Sequence, residues 1–131
     1  MEPRVDPGEY VLMNTLAYRF GAPRRGEIIA FKHEENGPLV FLKRVIGIPG
    51  DHISIVRGYV SRNGRVLDER YVRYRDGRSL PEAVVPAGAY YVLGDNRANS
   101  EDSRAWGFVR AHDVVGRALW VIWPFDRLGA L

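Results

Sequence analysis

Lys43 is the first residue at which chemistry could begin. It lies in the run Val40-Phe-Leu-Lys-Arg-Val-Ile-Gly-Ile, the strongest strand signal in the chain, which Pro49-Gly50-Asp51 brings to a stop. Side chains alternate faces along a strand, so Phe41, Lys43 and Val45 share one face, and Leu42, Arg44 and Ile46 share the other. If the Lys43 face is buried, desolvation disfavours the ammonium form, and an amine that is neutral near physiological pH can act as a general base. A lysine on an edge strand, or one that snorkels its ammonium into water, is the commoner arrangement. Taken alone, Lys43 fits it, and so does Arg44.

The second concentration of reactive groups is Gly94-Asp-Asn-Arg-Ala-Asn-Ser-Glu-Asp-Ser-Arg-Ala-Trp-Gly107. Such a loop satisfies itself through Asx turns and internal ion pairs, and rigid loops of this kind commonly hold functional groups on a strand scaffold. A solvated turn is the usual reading of so polar a run. A calcium loop is disfavoured, because Arg97 stands where an acidic ligand is needed and the closing glutamate is misplaced. A phosphate cradle is disfavoured too, since Gly94 and Gly107 do not form a glycine-rich turn before a helix. The hydroxyls of Ser100 and Ser103 could orient a lysine amine or act as nucleophiles, although neither sits in a Gly-x-Ser-x-Gly elbow. His33, His52 and His112 offer an alternative base, but no spacing singles one out, and local hydrogen bonding is the better reading of each.

The elements that must position these groups read as strands, with a period of two rather than 3.6. Tyr10 to Leu16, Glu27 to Lys32, Val40 to Ile48, His52 to Val56, Tyr90 to Leu93 and Gly116 to Trp123 carry the pattern, and Asn63-Gly64 is a two-residue hairpin turn. Helix signals are weak; only Arg110 to Val115 suggests a helical turn. Residues 65–86 are polar and arginine-rich and read as a surface excursion. The expected fold is mainly β: many short antiparallel strands with long connections and little helix.

The 131 residues fit one domain, and 46% hydrophobic with 27% charged residues is ordinary for a globular protein. With no cysteine, a disulfide framework and a thiolate metal site are both excluded. The net charge of +3 comes from arginines scattered between Arg4 and Arg127. This excess is too small and too dispersed to argue for nucleic acid. No apolar run approaches the roughly 18–20 residues of a membrane helix, and Met1 leads directly into Glu-Pro-Arg without a signal-peptide pattern.

Four blocks of the chain resemble the type I signal peptidases, a family of serine/lysine proteases. Met1-Glu-Pro-Arg followed by Pro7-Gly-Glu-Tyr-Val-Leu resembles their Ser-Met-x-Pro-Thr segment, starting one residue late. Arg25-Gly-Glu-Ile-Ile-Ala-Phe31 and Phe41-Leu-Lys-Arg-Val-Ile-Gly-Ile-Pro-Gly-Asp51 resemble two further blocks, the latter carrying the family's catalytic lysine. The loop of residues 94–107 resembles Gly-Asp-Asn-Arg-x-Asn-Ser-x-Asp-Ser-Arg-x-Trp-Gly.

The resemblance implies a barrel-like, mainly β signal-peptidase core over residues 1–131. It implies a membrane-anchored bacterial enzyme that removes signal peptides from secreted preproteins on the extracytoplasmic side, without metal, cofactor or nucleic acid. It implies Lys43 as general base and Ser100 as the hydroxyl that orients it. Asp102 and Arg104 would be paired structural charges, with Asp95 and Arg97 bracing the same loop. Met1, Ile29, Ala30, Phe41 and Leu42 would line the pockets for small substrate side chains. The family's nucleophile is the serine just before the position of Met1, and a second serine two residues earlier helps bind the oxyanion. Neither serine nor a preceding membrane segment is in the sequence given, so the expectation is that this chain has no peptidase activity. If water enters the site, Lys43 is expected to stay charged.

Three rivals remain at this level. A self-cleaving repressor-type serine/lysine protease is disfavoured by residues 94–107 and by the lack of an Ala-Gly cleavage site. A non-catalytic peptide-binding domain derived from a signal peptidase would account for the missing serine, but not for the retained Lys43 and Ser100. A basic nucleic-acid-binding barrel has only Tyr71, Arg73, Tyr74 and Arg75 in its favour.

Overall fold

The computed structural model describes residues 1–33 and 37–131. Its strands are β1 (Tyr10–Asn14), β2 (Ile28–Lys32), β3 (Val40–Gly47), β4 (His52–Val56), β5 (Tyr59–Arg62), β6 (Arg65–Val66), β7 (Leu80–Val84), β8 (Ala89–Leu93), β9 (Val109–Arg110), β10 (Val114–Trp123) and β11 (Gly129–Ala130). A single turn of α-helix, α1 (Ser103–Trp106), and 3-10 turns at Ala111–Asp113 and Phe125–Arg127 complete the regular structure among the described residues. The larger sheet has the order β1-β10-β2-β3-β8-β9, with β11 also beside β10; the smaller has the order β6-β5-β4-β7. Every pairing is antiparallel, so the mainly β expectation holds.

β3 and β8 form the centre because both of their faces are covered. Ile46, Tyr91 and Leu93 pack with Ile53, Ile55, Val60 and Val85 of the smaller sheet's layer. Val45, Tyr90 and Val92 pack on the opposite side with Ile29, Phe31 and Val109, and Phe41 leans on that cluster. Lys43 and Arg44 therefore leave one strand into two different environments.

Two-residue turns set the register of the smaller sheet. Asn63 (φ 53°) and Gly64 (φ 82°) take the left-handed conformations that a tight hairpin turn between β5 and β6 requires. Arg57 and Gly58 do the same between β4 and β5, a turn the sequence reading did not mark.

Three sequence expectations are corrected. Residues 65–86 are not wholly a surface excursion: beyond β6, the expected second arm of the Asn63-Gly64 hairpin, they contain β7, and Glu69 within them is buried. The loop of residues 94–107 contains α1, whose N-cap is Asp102. The helical turn expected over Arg110 to Val115 is a single 3-10 turn at Ala111–Asp113.

Candidate active site

Lys43 and Ser100 are 57 residues apart in sequence and meet in space: the Lys43 amine donates to Ser100 Oγ at 2.8 Å. β3 brings Lys43 in from one side, opposite Ile29 of β2. The loop that leaves β8 brings Ser100 from the other. Among the described residues no carboxylate forms an ion pair with Lys43. Burial holds its amine below the ordinary value of 10.5, and the more distant charge of Asp102 only partly opposes this. The structure thus keeps Lys43 half-buried, with burial lowering the affinity of its amine for a proton.

The approach depends on Gly94. A Cβ there would lie 2.1 Å from Ser100 Oγ and 3.4 Å from Lys43 Nζ, so only a residue without a side chain lets the serine lie against the chain as it leaves β8.

Asp102 is completely buried and fixes the far side of the loop. It accepts Gly94 N–H at 3.0 Å and a forked pair of bonds from Arg104 at 2.9 Å each, and it caps α1 through Arg104 N–H. Burial alone would raise the Asp102 carboxyl; the Arg104 and Gly94 bonds outweigh this and hold it below its usual range. Asp102 and Arg104 are paired as expected.

Asp95 and Arg97 also brace the loop, but each pairs with a residue outside it. Asp95 takes a forked pair of bonds from Arg44, at 2.8 and 2.6 Å. Arg44 also donates to Gly26 O and lies over the Tyr71 ring at 4.1 Å. Arg97 grips Glu69 and donates to Gly94 O at 2.9 Å. The reading of Arg44 as an edge or snorkelling residue is therefore overturned: it is buried and fully paired. Its signal was in the sequence, since a cation between Leu42 and Ile46 on a buried strand face requires a carboxylate. Glu69 and Tyr71 had no such signal.

An open cavity of about 350 Å³ runs beside this centre, lined in part by Met1, Val5, Phe41, Leu42, Asn96 and Asn99. Lys43 and Ser100 are not in its lining, although their chain neighbours Leu42 and Asn99 are. Of the expected pocket residues, Met1, Phe41 and Leu42 are there. Ile29 and Ala30 are not: both are fully buried in β2, with no surface to offer a ligand. The cavity lies where β8 pairs with β3 only from Arg44 onward, so that among the described residues Val40 to Lys43 have β2 on one side and no strand on the other. Met1 also closes on the site. Its sulfur accepts Asp95 N–H at 3.4 Å, and its α-amine is held below the usual value by burial and then by the neighbouring Lys43 charge.

A half-buried lysine held by a serine, near a cavity along a strand edge, is compatible with amide chemistry on an extended peptide. Residues 1–123 match the family model described as signal peptidase, peptidase S26. The chain belongs to the signal peptidase family. This signal peptidase domain is 38% identical to signal peptidase I of Leptolyngbya laminosa across its full length, and 39% identical to the probable signal peptidase I-2 of Synechocystis sp.. It spans 68% and 62% of those two proteins. The crystal structure of a signal peptidase I from Enterococcus faecalis superposes with a TM-score of 0.63 at 34% identity, over 72% of this chain and 95% of that one. The relation supports signal-peptide removal by a serine-protease hydrolase as the chemistry this fold serves. Among the described residues, no helix is long and apolar enough to cross a membrane.

Proposed function

We propose that Lys43 is the general base of a serine/lysine peptidase that removes signal peptides at the membrane, with the nucleophilic serine at the position immediately before Met1. The observation that carries this reading is the 2.8 Å contact between the Lys43 amine and Ser100 Oγ in a half-buried site where, among the described residues, no carboxylate pairs with the lysine. Ser100 Oγ accepts one N–H of the amine, so the lone pair of the neutral nitrogen is directed elsewhere. A lone pair so placed can take the proton of a serine hydroxyl as it attacks the scissile carbonyl, and return it to the leaving amine. The Met1 amine lies close enough to Lys43 to feel its charge, so a residue joined to it enters the same space.

The free edge of Val40 to Leu42 would pair with the substrate backbone, and the cavity beside it would take small side chains. The roles proposed for Asp95, Arg97, Asp102 and Arg104 are to fix the loop that holds Ser100.

The test is cleavage of an Ala-x-Ala signal-peptide substrate by this chain and by one that carries the relatives' serine-containing segment before Met1. The longer chain is expected to cleave, and to lose activity as Lys43→Ala; the chain beginning at Met1 is expected to be inactive. Cleavage by the Met1 chain would refute the placement of the nucleophile. Full activity of Lys43→Ala would refute the base.

A further inference from the structure

The segment between β6 and β7 has no part in the chemistry described so far, yet it reaches the site loop at three places. Glu69 is 1% exposed in its side chain and binds Arg97, itself 2% exposed, through both carboxylate oxygens. Tyr71 supplies the ring under Arg44 and donates to Glu69 at 3.0 Å. Asp76 accepts from Arg104 at 3.1 Å, and Tyr74 O accepts Ala98 N–H at 3.1 Å. Each of the three arginines that hold the loop, Arg44, Arg97 and Arg104, thus has a second contact on this one segment.

The segment is itself pinned down. Arg75 bonds Gly58 O at 2.8 Å and pairs with Glu69, and Gly58 N–H donates to Arg78 O at 2.8 Å. A Cβ on Gly58 would lie 1.9 Å from Asp76 O, so the β4–β5 turn and this strap are in direct backbone contact.

We propose that Glu69 is a positioning residue for the reactive amine: through Arg97 it fixes the Gly94 carbonyl, and thereby the spacing between Gly94, Ser100 and Lys43. The chain of contacts is short. Glu69 holds the Arg97 guanidinium, Arg97 Nε holds Gly94 O at 2.9 Å, and Gly94 is the residue against which Ser100 Oγ and Lys43 Nζ both lie. With Glu69 neutralised, Arg97 is left as a buried charge without its partner and must turn toward water. The Gly94 carbonyl is then released and the loop opens around Lys43. The proposal rests on Lys43 being the reactive amine, and its test separates the two.

The protein has only two lysines, Lys32 and Lys43, and Lys32 is exposed. Protein labelled with ¹³C and ¹⁵N in lysine gives two Nζ-linked signals whose titration can be followed by NMR, with Lys32 as internal reference. In the unsubstituted chain Lys43 is expected to titrate below Lys32. In Glu69→Gln the Lys43 midpoint is expected to move up toward that of Lys32, which stays in place. Asp68→Asn, one residue earlier and on the surface, is expected to move neither.

If the two lysines titrate together in the unsubstituted protein, the reading of Lys43 as base fails. If Lys43 titrates low there and equally low in a folded Glu69→Gln, the base reading stands and the positioning role of Glu69 is overturned. An equal shift in Asp68→Asn overturns it as well. Should Glu69→Gln not fold, Glu69→Asp keeps the charge but shortens the reach by one methylene; it is expected to give a smaller upward shift and faster amide exchange at Gly94, and absence of both overturns the proposal.

Discussion

On one face of β3, Arg44 is surrounded by everything a cation requires: two bonds to Asp95, a carbonyl from Gly26 and the Tyr71 ring. On the other face, one residue earlier, Lys43 has a serine hydroxyl and apolar neighbours. Both side chains are withdrawn from water, but only one is compensated. The compensated charge locks a loop in place. The uncompensated one is pushed toward its neutral form, where its nitrogen becomes a base. The lesson is that burial with a counter-ion fixes a charge in place, whereas burial without one weakens an amine's hold on its proton; the counter-ion here sits on the residue next along the strand.

The sharpest way to break this comparison is to delete each charge in turn. Arg44→Met strands Asp95 in the core and is expected to destabilise the fold by about 3–5 kcal/mol, read from urea unfolding. Gly94→Ala forces Ser100 away from its seat; the clash should lower stability by about 1–3 kcal/mol and raise the Lys43 titration midpoint in the same NMR experiment. Ser100→Ala removes the single hydrogen bond to Lys43, and is expected to cost about 1 kcal/mol in stability while sharply reducing cleavage by the serine-bearing chain.

Lys43→Met, which keeps the length and loses the charge, should change stability least and is expected to be neutral or stabilising. If it costs as much as Arg44→Met, the two faces are not different in kind. Its pH dependence sharpens the point. A lysine whose folded midpoint is depressed disfavours folding while protonated, so its penalty is fully present below the folded midpoint. The penalty fades as pH rises from there to the ordinary value of 10.5. The unsubstituted protein should gain stability across that window, and Lys43→Met should lack this gain.

Much of this arrangement was legible in sequence because period-two alternation and turn chemistry are local. Val40 to Ile48 announced a strand and put Lys43 on the face of Phe41 and Val45, and Asn63-Gly64 announced its hairpin. The long polar run of residues 94–107 marked the loop that holds Ser100. What was not legible depends on contacts between distant segments. Asp95 and Arg97 are two residues apart and invite pairing within their loop, yet each is drawn to a partner elsewhere, Arg44 and Glu69. Residues 65–86 look like surface because their arginines and acids are read singly; only packing shows that Glu69 and Asp76 are spoken for. Ile29 and Ala30 were placed in a pocket because they belong to a matching block, but β2 lies between β10 and β3 with both faces covered, and its apolar residues serve the core.

The choice of arginine over lysine throughout the scaffold has a consequence under alkaline conditions. Seventeen arginines accompany the two lysines, and a guanidinium does not give up its proton in any ordinary buffer. The grips on Asp95, Asp102 and Glu69 are therefore indifferent to alkali, while the amine among them is not. Raising the pH discharges the half-buried Lys43 amine and leaves the arginine grips around it in place, so alkali acts on the amine proposed as the base without dismantling what holds it.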